Sequence, residues 1–140
     1  MGYGANKKII YDFIKDHNLE TKIKVIGFQK NPYPFIKKAD VFVLSSLYEG
    51  LPNVLLEALT LKKFVISSNC PTGPKEILKN GKYGFLFKVK NINQLTNQII
   101  KYSNNKKIYN KKINLAYKSL LRFDFNTCCD KYLTLVKKII

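Results

Sequence analysis

The chain has 140 residues, of which 46% are hydrophobic and 13% aromatic, so it can bury one ordinary hydrophobic core. Its 25 Lys and Arg exceed its 9 Asp and Glu and give a formal net charge of +16, almost all from lysine because Arg122 is the only arginine. Nucleic-acid recognition favours arginines interleaved with aromatic residues on one face, so this composition argues against a nucleic-acid partner. No apolar run approaches about 20 residues and no signal-peptide pattern opens the chain, which favours a cytoplasmic protein.

The positive charge is concentrated toward the C-terminus. Residues 101–140 hold ten Lys and Arg against two Asp, a net charge of +8 and half of the total. Two interpretations are open: a surface solvated by lysines, or attraction to anionic lipid or to a phosphorylated substrate. The second would place the protein peripherally at the inner face of the membrane.

The cysteines and the single histidine predict no special chemistry. Cys70, Cys128 and Cys129 are odd in number and lack the spacing of zinc ligands, so we expect reduced thiols, with neither a disulfide framework nor a metal site. His17 follows a predicted helix and is expected at the surface.

The predicted elements alternate between helices and strands. Apolar residues recur at helical spacing over 5–17 and predict an amphipathic helix. Short, β-branched apolar runs predict four buried strands at 22–28, 40–46, 63–69 and 83–89. Helices are predicted shortly after Pro34, at 52–59, and in the C-terminal part at 91–102, 108–121 and 128–139.

This alternation predicts an α/β fold. Its parallel sheet would carry helices on both faces, end in a helical C-terminus and keep its ligand crevice at the carboxyl ends of the strands. A doubly wound domain should open with a strand, whereas this chain passes directly from Gly2, Tyr3 and Gly4 into a helix. We therefore expect the start of the domain to lie upstream.

The helix predicted at 52–59 separates apolar from polar residues by face. The residues expected on the core side are Leu51, Val54, Leu55, Ala58 and Leu59. The residues expected on an outward polar stripe are Asn53, Glu57 and Thr60. Glu49 precedes this helix, in the strand-to-helix loop where such a sheet binds its ligand.

The start of this helix is suited to an anion. The free N–H groups of Gly50, Leu51 and Asn53, with the positive end of the helix dipole behind them, favour a phosphate. Carboxylates repel phosphate but accept hydrogen bonds from diols, so Glu49 and Glu57 fit the two sugars of a nucleotide sugar, on either side of its diphosphate. A second interpretation stays open, in which Glu49 only stabilises the helix N-terminus and Glu57 only solvates the polar stripe.

The run "ADVFVLSSLYEGLPNVLLEALTLKKFVISSNCPTGPKEILKNGKYGFLF" resembles the donor-binding domain of family-4 retaining glycosyltransferases of the GT-B fold. The resemblance rests on the strand and serines before EGLP, on Glu57 and Ala58, and on the TGPKE and NGKYG motifs. It extends backward through "IGFQKNPYPFIKKAD" and covers nearly the whole chain. It implies a Rossmann-like donor-binding domain over 1–140, incomplete at its N-terminal side, with C-terminal helices from about 91.

The resemblance also implies roles for particular residues. Glu49 matches the catalytic glutamate beside the transferred sugar, where it supports developing positive charge, and Glu57 matches the glutamate that holds the ribose hydroxyls. The other residues implied to bind substrate are Gly50, Leu51 and Pro52 around the diphosphate and sugar, with Asn53 next to them, Gly27 and Phe28 near the base, and Gly73 with Thr72 in a wall of the cleft. Glu76 matches the same wall, and two roles remain open for it: capping a helix or contacting the cleft.

The implied activity is transfer of a sugar from a nucleoside diphosphate sugar to a glycan or lipid-linked acceptor, with retention, as in polysaccharide biosynthesis. The nucleotide sugar is the substrate, and no cofactor or metal is implied. The basic segment that neutralises the diphosphate in this family, and its N-terminal acceptor domain, have no match in the chain, so we expect a fragment or one part of a split enzyme with weak donor binding. The alternative is a non-catalytic nucleotide-sugar-binding module or an inactive truncated remnant.

Overall fold

The structure is a computed structural model, and it describes residues 6–139. The chain divides into two compact units, Met1–Phe35 and Ile36–Ile140. The predicted Gly2-Tyr3-Gly4 strand end lies outside the described residues. The expectation of one donor-binding domain over the whole chain stays a prediction.

The described part of the first unit begins with helix α1, Lys7–Asp16, which confirms the predicted N-terminal helix. Ile14 is the buried residue of this helix, and its carbonyl accepts a hydrogen bond from the Leu19 amide at 2.9 Å. His17 is exposed, as predicted, and its ring stacks on that of Phe13 with the ring centres 4.2 Å apart.

The strand predicted at 22–28 is wrong, because these residues form no strand in the structure. A strand requires a neighbouring backbone with which to form a ladder. The first residues of this run instead enter a turn, in which the amides of Lys22 and Ile23 both donate to the Leu19 carbonyl, at 2.9 and 2.8 Å. β-branched residues favour extended backbone but do not supply the missing partner.

Helix α2, Tyr33–Lys38, confirms that a short helix forms here, but it begins at Tyr33 and not after Pro34 as predicted. Pro34 occupies its second position, where a proline's missing N–H costs no intrahelical hydrogen bond. The Asn31 side chain accepts from the Tyr33 amide at 3.1 Å and so satisfies one of the free donors at this helix end.

The second unit contains a sheet of three parallel strands, β1 (Val41–Leu44), β2 (Phe64–Ser68) and β3 (Phe85–Phe87), in the order β1-β2-β3. Val41 lies opposite Phe64, and Ile66 lies opposite Phe85. All five residues of β2 are buried, as expected for a central strand covered on both faces.

Alternate residues of β2 contribute to two separate cores. Val65 packs with Leu55, Ala58 and Leu59 on one face of the sheet. Phe64 and Ile66 face the other side, where the buried residues also include Phe87 and Tyr102. Burial of each large apolar side chain contributes roughly 1.5–3 kcal/mol, so packing on both faces of the sheet stabilises this unit.

The remaining helices cover this sheet and continue to the C-terminus. Helix α4 was not predicted, because four residues are too few to show a period, and the helix predicted at 108–121 has a 3₁₀ turn at each end. The helices are α3 (Asn53–Thr60), α4 (Pro74–Ile77), α5 (Ile92–Asn104), α6 (Asn110–Lys118) and α7 (Phe125–Val136), with 3₁₀ turns at Lys106–Tyr109 and Ser119–Phe123.

The C-terminal helices have side-chain caps where the sequence supplies them. The Asn91 side chain accepts from the Gln94 amide at 2.9 Å at the start of α5, and the Asp124 side chain accepts from the Thr127 amide at 3.2 Å at the start of α7. Among the described residues, no helix is both long and apolar enough to cross a membrane. The predicted α/β class, with a parallel sheet, helices on both faces and a helical C-terminus, is confirmed.

Candidate functional site

The candidate site lies at the carboxyl ends of β1 and β2. Because the strands are parallel, the loops that follow them emerge at the same edge of the sheet. The Ser68 hydroxyl, at the end of β2, donates to the Ser46 carbonyl in the loop after β1 at 2.6 Å. This hydrogen bond holds the two loops together at their base.

Glu49 is fixed through its side chain and through its backbone. The Ser46 hydroxyl donates to Glu49 Oε1 at 2.6 Å. The Thr72 hydroxyl donates to the Glu49 carbonyl oxygen from the loop after β2. The carboxylate is half-buried, so the loop presents it in one orientation with part of its surface free. A carboxylate held in this way is suited to accept hydrogen bonds from a sugar.

A close backbone contact between Gly73 and Gly50, the residue after Glu49, joins the same two loops. Gly73 has φ of +84° and lies against the Gly50 carbonyl, so that a Cβ on residue 73 would meet this oxygen at 1.9 Å and the Pro52 Cδ at 2.5 Å. Gly73 and Pro52 are both buried. Residues 72 and 73 therefore form a wall against residues 49–52, and the wall can approach this closely only because residue 73 is glycine.

Helix α3 begins beside this wall with an uncapped N-terminus. Pro52 is the N-cap residue, it makes no side-chain hydrogen bond there, and the first turn contains no acidic residue. The predicted start at Pro52 is therefore one position early, within the usual variation of helix ends. Backbone amides at such a terminus carry partial positive charge that a bound anion can neutralise.

The faces of α3 agree in part with the prediction. Leu55, Ala58 and Leu59 are at most 1% exposed, as expected for the core side. Leu51 and Val54 are 47% and 39% exposed, so the prediction that they cover the core is wrong. They precede or open the first turn, at the edge where the strands end, and the sheet does not extend beneath them.

The polar stripe of α3 lies where it was predicted. Asn53 and Thr60 are exposed, and Glu57, one turn after Asn53, is half-buried. Glu49 and Glu57 therefore occupy the loop and the helix of one strand-loop-helix segment. Neither interpretation of these two glutamates, as sugar ligands or as a cap and a solvated side chain, is decided by their burial.

Glu76 lies in the first turn of α4. Its charge there complements the helix dipole, as one of the predicted roles requires. The residue also lines a cavity of about 410 Å³ together with Thr72, Gly73, Lys75 and Lys79. Both roles for Glu76 remain compatible with its position.

Gly27 and Phe28 belong to the first unit. Gly27 is half-buried with open space around the position of a Cβ, and Phe28 is 65% exposed. An exposed aromatic ring can stack on a base. Their contribution to a base-binding turn stays a prediction.

Sequence reasoning missed the contacts that shape the site. It did not assign Ser46, Ser68 or Thr72 a hydrogen bond to the loop of Glu49. The available signal was the placement of hydroxyl residues directly after two buried strands, since such residues meet at one edge of a parallel sheet. It also assigned no role to Arg122, the only arginine in the chain.

Together the fold and the site define a parallel α/β domain with an anion-suited helix N-terminus between two glutamates. A family model described as "Glycosyl transferases group 1" matches residues 1–119. Because this match covers most of the chain, the chain belongs to that family of glycosyltransferases.

Curated relatives agree with this assignment. The chain is 43% identical over 101 residues to an uncharacterised glycosyltransferase of Methanocaldococcus jannaschii, a match that covers 63% of the chain and 25% of the relative. It is 34% identical over 95 residues to the N-acetylgalactosamine-N,N'-diacetylbacillosaminyl-diphospho-undecaprenol 4-alpha-N-acetylgalactosaminyltransferase of Campylobacter jejuni, covering 68% of the chain and 26% of the relative. The chain thus spans about a quarter of the length of these relatives.

Solved structures show the same fold. A variant of TarM of S. aureus, crystallised with fondaparinux, alpha-GlcNAc-glycerol and UDP, matches with a TM-score of 0.84 and 26% identity over 94% of the chain and 27% of TarM. HepE of Anabaena in complex with UDP matches with a TM-score of 0.83 over 94% of the chain and 36% of HepE, and at 22% identity it bears on the fold alone. The predicted resemblance to the Rossmann-like C-terminal half of GT-B glycosyltransferases is confirmed.

Proposed function

We propose that the chain binds the nucleoside diphosphate sugar of a retaining glycosyltransferase at the carboxyl ends of β1 and β2. The observation that carries this proposal is the position of Glu49 beside the uncapped start of α3: Ser46 donates to its carboxylate, and Thr72 donates to its backbone carbonyl. In the proposed complex Glu49 contacts the transferred sugar, and Glu57 accepts hydrogen bonds from the ribose.

The diphosphate is proposed to lie at the start of α3. The amides of Gly50, Leu51 and Asn53 would donate to its oxygens, and the helix dipole would favour its charge. As the bond to the sugar breaks, negative charge grows on the departing diphosphate, and donors already in place stabilise it without reorganisation. Glu49 would support the positive charge that develops on the sugar ring.

Uridine is the proposed base. The TarM variant, which is 26% identical to the chain, was crystallised with UDP. Gly27 and Phe28 are the residues proposed to lie near the base. No metal ion is proposed to take part, because amide donors and nearby lysines can meet the charge of the diphosphate.

The acceptor is proposed to be a glycan or a lipid-linked glycan. The relatives' names include an undecaprenol-linked acceptor and poly(ribitol-phosphate). The formal charge of +16 supports peripheral attraction to anionic membranes. Co-sedimentation with vesicles containing anionic lipid, at low and high salt, tests the second point, and association that does not depend on salt or on anionic lipid would contradict it.

Calorimetric titration with UDP, GDP and ADP tests the donor site. We expect weak binding, strongest for UDP, and the same binding when a chelator is added. A folded sample that gives no heat with any of the three nucleotides contradicts the proposal. Binding without transfer of sugar, from a UDP-sugar to any added glycan, would instead support the alternative of a non-catalytic binding module.

A further inference from the structure

We infer that Arg122 is a positioning residue for this site: its guanidinium fixes the carboxyl end of α4, and α4 holds the wall of residues 72 and 73 against Glu49 and Gly50. The geometric part of this inference rests on contacts alone. Only its consequence for ligand binding rests on the proposed function.

Helix α4 needs contacts with residues outside the helix to be stable. It contains four residues, Pro74–Ile77, and a single helical turn is unfavourable by itself because many backbone angles are fixed for few hydrogen bonds. The carbonyls of its last turn lack the complete set of partners that a longer helix provides. Arg122 adds partners at this end: its Nη2 donates to the Ile77 carbonyl at 2.5 Å, and its Nη1 donates at 3.2 Å to the Glu76 carbonyl, which also accepts from the Lys79 amide at 3.1 Å.

The guanidinium is itself held in place. Its Nε donates to the Ser119 carbonyl at 3.2 Å within the same 3₁₀ turn. The carbon at its centre lies 4.7 Å from the centre of the Phe123 ring and 5.6 Å from that of the Tyr83 ring. A planar guanidinium with several donors in fixed directions can bind two neighbouring carbonyls at once, and its positive charge is favourable at a helix C-terminus.

The other end of α4 contacts the candidate site. Gly73, the N-cap residue, presses on the Gly50 carbonyl, and Thr72 donates to the Glu49 carbonyl. At the carboxyl end of α4, Ile77 and the following residue Leu78 are fully buried, and Pro74 is buried at its start. Because this helix is only one turn long and is packed at both ends, a displacement of its carboxyl end should also move residues 72 and 73.

Arg122 stands outside the family match, which ends at residue 119. It is also the one arginine in a chain that otherwise uses lysine for its positive charge. A lysine ammonium is a point donor and does not reproduce the planar two-carbonyl contact. The geometry of these contacts thus favours arginine over lysine at this position.

Hydrogen exchange in the absence of ligand tests the geometric part. In Arg122→Ala we expect exchange roughly tenfold faster in residues 72–78 and in the loop 49–53, with an intermediate effect in Arg122→Lys. The control is Tyr102→Phe, which removes a hydrogen bond from the Tyr102 hydroxyl to the Asp40 carbonyl before β1, at the opposite edge of the sheet. Exchange in 49–53 that is unchanged in folded Arg122→Lys and Arg122→Ala, or raised equally by Tyr102→Phe, overturns the inference.

Titration with UDP tests the consequence for binding. We expect Arg122→Ala to bind UDP roughly tenfold more weakly and Tyr102→Phe to bind it like the unaltered chain. Added methylguanidinium, but not methylammonium, should restore both the UDP affinity of Arg122→Ala and its protection from hydrogen exchange. If the unaltered chain binds no UDP, the proposed function fails while the exchange data still decide the role of Arg122. If the unaltered chain binds UDP and Arg122→Ala binds it equally well, the positioning role is overturned.

Discussion

Gly73 touches Gly50 so closely that no side chain fits between them: a Cβ on residue 73 would lie 1.9 Å from the Gly50 carbonyl oxygen. The contact joins the loop after β2 to the loop after β1. It sets the distance between the wall of the site and the start of α3. A change at residue 73 therefore tests the shape of the site without removing any group proposed to touch the ligand through its side chain.

We expect Gly73→Ala to lower stability and to abolish UDP binding. The positive φ of residue 73 alone costs an alanine about 1–2 kcal/mol, and the contact with Gly50 must also open. Gly81→Ala is the matched control, because Gly81 has φ of +85° but the atom nearest to a Cβ at this position, the Gly84 carbonyl oxygen, is 3.8 Å away. Urea unfolding and UDP titration check this, and equal losses in the two variants would show that the contact itself has no effect.

Ser46→Ala should weaken donor binding while leaving the fold intact. The substitution removes the 2.6 Å hydrogen bond to Glu49 Oε1, and the backbone carbonyl of residue 46 can still accept from Ser68. A hydrogen bond to a charged group contributes roughly 1.5–3 kcal/mol, so we expect at least a tenfold loss of UDP-sugar affinity. Calorimetry on Ser46→Ala and on Ser45→Ala, its exposed neighbour, compares the two serines, and the same affinity in both would argue against a role for the Ser46 hydroxyl.

Glu57→Ala should weaken UDP binding by roughly 1–3 kcal/mol, because a charged acceptor for the ribose hydroxyls is lost. Glu20→Ala removes an exposed glutamate of the first unit and should leave the affinity unchanged. Titration of both variants separates the two interpretations of Glu57. Unchanged UDP affinity in Glu57→Ala would support the interpretation that Glu57 only solvates the polar stripe of α3.

The ion pair of Asp40 and Lys106 predicts a pH dependence of stability. Their Nζ and Oδ1 atoms lie 2.7 Å apart, between the residue before β1 and the 3₁₀ turn after α5. The hydrogen bond and charge of Lys106 lower the pKa of Asp40 below its ordinary 3.8, and Asp40 raises the pKa of Lys106 above its ordinary 10.5. The stability that comes from the lowered pKa of Asp40 is present above pH 3.8 and is lost as the pH falls through the pKa of Asp40 in the folded chain. The stability that comes from the raised pKa of Lys106 is present below pH 10.5 and is lost as the pH rises through the pKa of Lys106 in the folded chain.

Lys106→Gln should therefore be less stable than the unaltered chain at neutral pH, and the difference should shrink toward both extremes. The pair is exposed, so the effect is small and weakens with salt. Urea unfolding over a pH series at low salt checks this, with Lys107→Gln, at an exposed neighbouring lysine, as the control. A difference that stays constant with pH would assign the effect to packing of the Lys106 side chain instead of its charge.

The regular part of the fold was predictable because it depends on local patterns. Continuous apolar runs around β1, β2 and β3 predicted buried parallel strands, and the spacing of Leu55, Ala58 and Leu59 predicted the core face of α3. The run at 22–28 has the same composition as a strand but no pairing partner in the ladder of the described residues. Composition alone cannot distinguish these cases, because a strand is defined by its neighbour.

The residue types around the start of α3 could be read from the sequence, whereas the contacts between them could not. The spacing of the residue types predicted that Glu49 precedes α3, that Glu57 lies on its polar stripe, and that the start of α3 has free amides. The hydrogen bond from Thr72 to Glu49 and the contact of Gly73 with Gly50 join residues more than twenty positions apart. Such contacts depend on how two loops meet after the sheet has formed, which no local pattern encodes.

The hydrogen bond from Ser68 to Ser46 and the one from Thr72 to Glu49 span 22 and 23 positions of the chain. Loops of this length close at modest entropic cost, and contacts of short sequence separation form early in folding. The loop of Glu49 should therefore take its shape as soon as β1 pairs with β2, before the C-terminal helices dock. The loop should become rigid later, when Arg122 binds the carbonyls of α4. During synthesis the chain would therefore form the backbone of the site first and reach its full affinity for the ligand only at the end of folding.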